Sequence, residues 1–188
     1  MEDRVKRIFR NVNDGLDLIV FLNSVDPHID MSFFYATGLT DGLFEGCGAW
    51  LTPDGACHIT TSALEEDTAK KSGLPLHVFR TREEAAKRMR THLKGKRKIG
   101  VNAAELTYAA FQRLRKLAPR SAKFVDVSDA VMKTRLVKSE AEIGLLQRAC
   151  DIASRAFVET LPFIRSGVTE AEVASELVDR AGWPYRQA

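Results

Sequence analysis

The side chains in this sequence best equipped for chemistry are its histidines and the acids near them. His28 stands between Asp26 and Asp30, and an imidazole flanked by carboxylates is a proper set of metal ligands. A reading without a metal is simpler. Asp26 caps a helix that carries Pro27 at its first position, and Asp30 faces solvent. His58, His77 and His92 fall on different predicted elements. Separate, partly exposed positions are expected for them, not a shared ligand set or a base. Gly46-Cys47-Gly48 begins like a dinucleotide-binding turn, but it lacks the third glycine and lies in a predicted strand. The sequence has no Gly-x-Ser-x-Gly elbow and no Walker-type loop. The run Lys94-Gly95-Lys96-Arg97-Lys98, with Arg113, Arg115, Lys116 and Arg120, could hold phosphate. It reads better as a solvated turn and an outer helix face, because no aromatic platform for bases is interleaved with it. Phe33 and Tyr35 are the substrate-pocket candidates. One of Phe33 and Phe34 is expected in the core, and the Tyr35 hydroxyl needs a polar partner. Arg135, Lys138 and Glu142 read as ion pairing and capping at a helix start.

The elements that must position these residues alternate. A helix over 4–13 buries Val5, Ile8, Phe9 and Val12 and ends at Asp14-Gly15. Leu16 to Leu22 is a short apolar run and reads as a buried strand. A helix follows Asp26-Pro27 and ends at Gly38. A hairpin over 45–52 and 56–60 turns at Thr52-Pro53-Asp54-Gly55. Ser62 to Glu65 and Thr81 to Glu84 have capping-box spacing, and the helix begun at Ser62 is expected to end at Gly73. Strands are predicted at 76–79, 98–101 and 124–127, with helices burying Ala85, Met89 and Leu93, and Ala110, Phe111 and Leu114. Strands alternating with helices argue for an α/β domain with a largely parallel sheet and one antiparallel hairpin. Beyond Met132 the reading is helical. Ser139 with Glu142 opens a long amphipathic helix (Ile143, Leu146, Cys150, Ala153, Phe157), disturbed at Pro162. Thr169 with Glu172 opens another.

At 188 residues, 45% hydrophobic and 28% charged, the chain has the composition of a folded globular protein. A net charge of +3 is too weak to imply nucleic acid by itself. Three cysteines without a CxxC and an acidic N-terminus with no apolar run behind it point to a reduced, cytoplasmic protein.

Three stretches resemble the creatinase/prolidase/Xaa-Pro aminopeptidase (pita-bread metallopeptidase) family. Met31-Ser32-Phe33-Phe34-Tyr35-Ala36-Thr37-Gly38-Leu39 is similar to its aromatic-Tyr-x-Thr-Gly motif. Ala49 to Gly55 resembles the hairpin that follows. Arg135-Leu136-Val137-Lys138 with Glu142-Ile143, then Gly167-Val168-Thr169-Glu170, resembles the entry to its catalytic domain. The resemblance implies an α/β fold class: a creatinase-type N-terminal domain with a mixed sheet flanked by helices, followed by a C-terminal helical segment. Residues 1–134 would be the first, and 135–188 the truncated start of the catalytic domain. For the parent it implies a metal-dependent Xaa-Pro dipeptidase or aminopeptidase whose divalent metal pair (Mn, Co or Zn) is held by two Asp, one His and two Glu. Those ligands would lie beyond Ala188. No catalytic or metal-binding residue is therefore carried over, no cofactor is expected in this chain, and the chain alone is expected to be inactive. Its role would be homodimer formation and shaping of substrate access, with peptide bound only beside a complete catalytic domain. Neither membrane nor nucleic acid is an expected partner. The alternative is a non-catalytic binding module for peptide, histone or nucleic acid on the same fold. The last residues, Trp183 to Ala188, resemble the family poorly.

Overall fold

A computed structural model describes residues 2–13 and 15–182. They form two compact units, divided between Leu136 and Val137.

In the first unit the apolar run Leu18–Leu22 (β1) is buried along its whole length, as a strand covered on both faces must be. It sits inside a six-stranded sheet of order β4-β3-β2-β1-β5-β6, built from Gly48–Leu51 (β2), Cys57–Ser62 (β3), Leu76–Phe79 (β4), Lys98–Val101 (β5) and Lys123–Asp126 (β6). β2 runs antiparallel to β1 and β3, and the other neighbours are parallel. The sheet is therefore mixed, with five strands pointing one way and only β2 reversed. The β2–β3 turn closes as its composition predicts: Thr52 N donates to Ala56 O, and Gly55 takes the left-handed backbone at φ 97°.

Side chains alternate across the sheet, so β1 feeds two cores. Ile19 and Phe21 join Phe33, Phe44, Leu51 and Ile59 beneath α1 (Glu2–Arg10), α2 (Met31–Thr37), α3 (Glu66–Lys70) and α6 (Ser128–Leu136). Leu18, Val20 and Leu22 join Trp50, Met89, Leu93, Ile99 and Leu114 beneath α4 (Arg82–Leu93) and α5 (Tyr108–Leu117). Gly100 of β5 is required by close approach. A Cβ there would stand 2.8 Å from each of Ile19, Leu16 and Val127.

Two local expectations are corrected, and one helix is added. The helix after Pro27 starts later, at Met31, and its cap is Asp30, whose carboxylate accepts from Ser32 N at 2.8 Å. Asp26 does not cap it, and Asp30 is buried instead of facing solvent. Ser62 makes no side-chain cap, and its segment begins as a single 3₁₀ turn. The reason is competition: the Glu65 carboxylate accepts from Leu43 N and Phe44 N. Helix α6 follows β6 directly, a helix that the apolar pattern of the sequence does not announce. Asp126 starts it by accepting from Ser128 N at 2.9 Å. The first helix spans Glu2–Arg10; its expected stop at Asp14 lies outside the described residues.

The second unit is a helical hairpin, α7 (Glu140–Thr160) and α8 (Glu170–Arg180). Both start with the capping boxes read from sequence, Ser139 with Glu142 and Thr169 with Glu172. Pro162 converts the end of α7 to a 3₁₀ turn, Leu161–Phe163. The expectations for residues 183–188 lie outside the described residues.

Candidate functional site

The loops leaving the carboxyl ends of the five co-directional strands meet at one end of the sheet. In open α/β sheets this is where ligands bind. A cleft of about 940 Å³ lies here in the first unit, lined among others by Asp26, His28, Glu45, Arg82, Met89 and Arg113. Its floor comes from α4 and the end of β4, through Phe79, Ala85 and Ala86, and the start of α5 contributes Ala109. The cleft thus pairs an apolar floor with a few charged groups of both signs, the usual composition of a small-molecule site. Neither Arg82 nor Arg113 forms an ion pair with a described residue. The Glu45 carboxylate accepts from Asp26 N at 3.0 Å, which ties two of the lining loops together.

A buried polar network behind the cleft sets these loops. Asp30 is the hub. Asn102 Nδ2 donates to both of its carboxylate oxygens at 3.1 Å, and Asp30 N donates to Asn23 Oδ1 at 3.1 Å. Asn23 Nδ2 donates to Phe44 O in turn. Burial raises the Asp30 pKa above its ordinary value, and the hydrogen bonds from Ser32 and Asn102 partly offset this. Ser24 Oγ and Thr107 Oγ1 share a hydrogen bond of 2.8 Å, joining the loops after β1 and β5. Phe44 holds a left-handed backbone, φ 50°, costly for an aromatic residue. Its amide bonds Glu65, and its ring packs 5.1 Å from Phe33 and 5.9 Å from Phe34. The serine hydroxyl in the cleft faces a threonine, not an imidazole.

The structure separates the residues singled out in the sequence. His28 is exposed at the cleft. Phe33 is sealed in the first core and Tyr35 is half-buried with its ring 5.0 Å from the Arg4 guanidinium; neither is among the cleft-lining residues. Lys94 to Lys98 form the turn from α4 to β5, pinned by Asp17, whose Oδ2 accepts from Arg97 N and Lys98 N. Gly46-Cys47-Gly48 leads into β2, not into a helix. Glu142 serves the capping box of α7. The separate positions expected for His58, His77 and His92 are overturned: the three rings meet, with centroids 4.9–6.0 Å apart. Sequence reasoning also missed Asn23 and Asn102. Their one signal was an asparagine one residue past the end of a parallel strand. Cys47 and Cys57 are free and buried, and burial pushes the Cys57 thiol up to about 12. Among the described residues no group of three or more His, Cys, Asp or Glu could hold a metal ion. No described helix is long and apolar enough to cross a membrane.

The family pattern described as Creatinase/Prolidase N-terminal domain matches residues 12–137. The chain belongs to the creatinase/prolidase family. A Xaa-Pro dipeptidase of Pyrococcus horikoshii is 32% identical over 179 residues, covering 94% of this chain and 47% of that protein. The crystal structure of an X-Pro aminopeptidase from Thermotoga maritima superposes with a TM-score of 0.78 over 94% of this chain and 48% of the other, at 23% identity. The isolated creatinase/prolidase N-terminal domain of an X-Pro dipeptidase from Streptococcus pyogenes covers 71% of this chain and 99% of that domain, with a TM-score of 0.56 and 17% identity. At those identities the two structures establish the fold alone. The chain spans about half the length of the first two relatives. The mixed sheet with flanking helices is the creatinase N-terminal fold that the sequence motifs implied.

Proposed function

We propose that this chain is the N-terminal, dimer-forming and substrate-access part of a metal-dependent Xaa-Pro dipeptidase or aminopeptidase. The observation that carries this reading is the family match over residues 12–137 together with the cleft at the carboxyl ends of its strands. A short peptide with free ends carries one charge of each sign. The cleft offers Arg82 and Arg113 for a carboxylate, Asp26 and Glu45 for an ammonium group, and an apolar floor for the side chains. The same end of the sheet exposes Val25 and Leu43 on loops, Leu64 in the 3₁₀ turn after β3, and Tyr108 at the start of α5. Apolar groups gathered around a cleft suit a second subunit closing over it.

The divalent metal pair of the reading does not fit the described residues. The three clustered histidines have no carboxylate with them, and no other set of donors gathers. No catalytic step is therefore assigned to this chain, and the metal ligands are assigned to the part of the relatives that it does not span. Residues 135–188 are read as the start of that catalytic domain. Their exposed apolar residues, including Ile143, Leu146, Phe157 and Ile164, would meet its remainder.

The test uses the purified 188-residue chain. Sedimentation is expected to show a dimer that Leu43→Glu and Tyr108→Glu weaken. A strictly monomeric chain at high concentration would count against the reading. With Mn²⁺, Co²⁺ or Zn²⁺ added, Xaa-Pro dipeptides should not be turned over. Turnover abolished by a chelator would place catalysis within this chain and overturn the non-catalytic assignment.

A further inference from the structure

The histidine cluster lies apart from the family's expected role. His58 of β3 stands opposite Trp50 of β2, and His77 of the edge strand β4 stands opposite Thr60 of β3. His92 comes from the last turn of α4 and stacks on Trp50, with ring centroids 4.7 Å apart and planes 6° from parallel. Trp50 is fixed in turn by its indole N–H, which donates to Thr60 Oγ1 at 2.8 Å. The His77 and His92 rings are 4.9 Å apart and nearly perpendicular; His58 lies 6.0 and 5.8 Å from them. His58 Nδ1 and His92 Nε2 are buried without a hydrogen-bond partner.

Neutral imidazoles tolerate this packing through their faces and edges, whereas imidazolium ions would not. A protonated ring needs donors satisfied and charge compensated, and the surroundings supply the wrong sign. Arg88 of α4 acts on His77, and Lys96 in the turn after α4 acts on His92. The acids of α4, Glu83 and Glu84, sit in its first turn, about two turns from His92. Helix α3 packs on the opposite face of β3 and β4, and its Glu66 and Asp67 are both occupied by Lys70 at 3.1 and 2.9 Å. Strand β2 contributes Trp50 and no charge.

We propose that His77 and His92, packed against the His58 ring, form an acid-sensitive latch that holds helix α4 on the β3–β4 edge of the sheet and releases it when those two imidazoles protonate. Burial, and then the neighbouring histidines and Lys96, push the His92 pKa down to about 4, and burial with Arg88 and His58 lowers that of His77. The sign follows. With a folded pKa below the unfolded value near 6.5, the open form binds more protons, so the latch weakens as pH falls from about 6.5 toward 4. Helix α4 also supplies Arg82, Ala85, Ala86 and Met89 to the cleft, so its release reaches that wall.

Hydrogen exchange of the full chain tests this, with rates corrected for the intrinsic effect of pH. Between pH 7.5 and 5.0 the segment 76–93 should lose roughly tenfold in protection relative to β1 and β5. His92→Phe, which keeps a ring on Trp50, and His77→Asn, on the half-buried edge strand, should each reduce that loss. If His92→Phe does not fold, His77→Asn carries the test. No selective loss in the wild type, or an equal loss in a folded variant, overturns the proposal. So does protection raised by Zn²⁺ at pH 7.5 in the wild type but not in His77→Asn, because the imidazoles would then be metal ligands.

Discussion

The two units of this chain bury their apolar residues to very different degrees. In the first, both faces of the sheet are covered, and Phe21, Phe33, Trp50 and Ile99 are fully buried. In the second, α7 buries only Ala156 and Thr160, while Phe157 is 58% exposed and Ile143 47%. Yet the second unit has the better local signals: two complete capping boxes, a proline-marked helix end and a long 3.6-residue stripe. The difference teaches that well-written helices are not a core. Local capping adds about 1 kcal/mol per helix, whereas covering an aromatic side chain is worth several times that. Within this unit α7 and α8 cover each other's stripes only in part, and a cavity of about 760 Å³ lined by Phe157, Leu177 and Val178 remains between them.

The largest expected effect contrasts two phenylalanines. Phe33→Ala should cost about 3–5 kcal/mol by urea unfolding, through lost burial and the cavity left behind. Phe157→Ala should change stability by less than about 0.5 kcal/mol. A large loss at Phe157 would mean that its face is covered in solution and would break the contrast. Two glycines come next. Gly100→Ala should cost about 1–3 kcal/mol, because the added methyl group meets three packed side chains. Gly144→Ala, in α7 with open space around it, should stabilise the second unit by roughly 0.5–1 kcal/mol, seen as a higher helical melting temperature by circular dichroism. A further effect of similar size concerns an exposed tie. Hydrogen bonds from Lys98 N and then Arg97 N hold the Asp17 pKa below its ordinary 3.8. A carboxylate so depressed stabilises the fold above its unfolded pKa and loses that contribution as pH falls through the folded one. Asp17→Ala should therefore cost on the order of 1 kcal/mol at pH 7. The gap to wild type should close as the solution is acidified below pH 3.8; a gap that persisted there would assign the effect to packing.

Legibility followed the range of the forces involved. Strand β1, the β2–β3 turn and the boxes at Ser139 and Thr169 depend on neighbours within a few residues, and the pattern shows them directly. Ser62 to Glu65 has the same spacing and was misleading, because Glu65 serves amides 22 and 21 residues away. Asp26 looked like the cap and Asp30 like a surface acid. Asn102, 72 residues along the chain, reverses that reading by drawing the Asp30 carboxylate into the interior. Of the two pocket candidates Tyr35 looked the better, because its hydroxyl needs a polar partner, and one of Phe33 and Phe34 was expected inside; the core took Phe33 inward and left Tyr35 beside Arg4, away from the cleft lining.

By itself, the sequence determined the alternation of strands and helices, the ends of most elements, and the family, because motif order and local hydrogen bonding are properties of adjacent residues. Only the tertiary structure decided which distant side chains meet. The cleft exists because five strands end at one edge, and the three histidines touch because β4 pairs with β3 while α4 crosses above them. That order rests on burial shared across the whole sheet, a quantity that no short stretch of sequence contains.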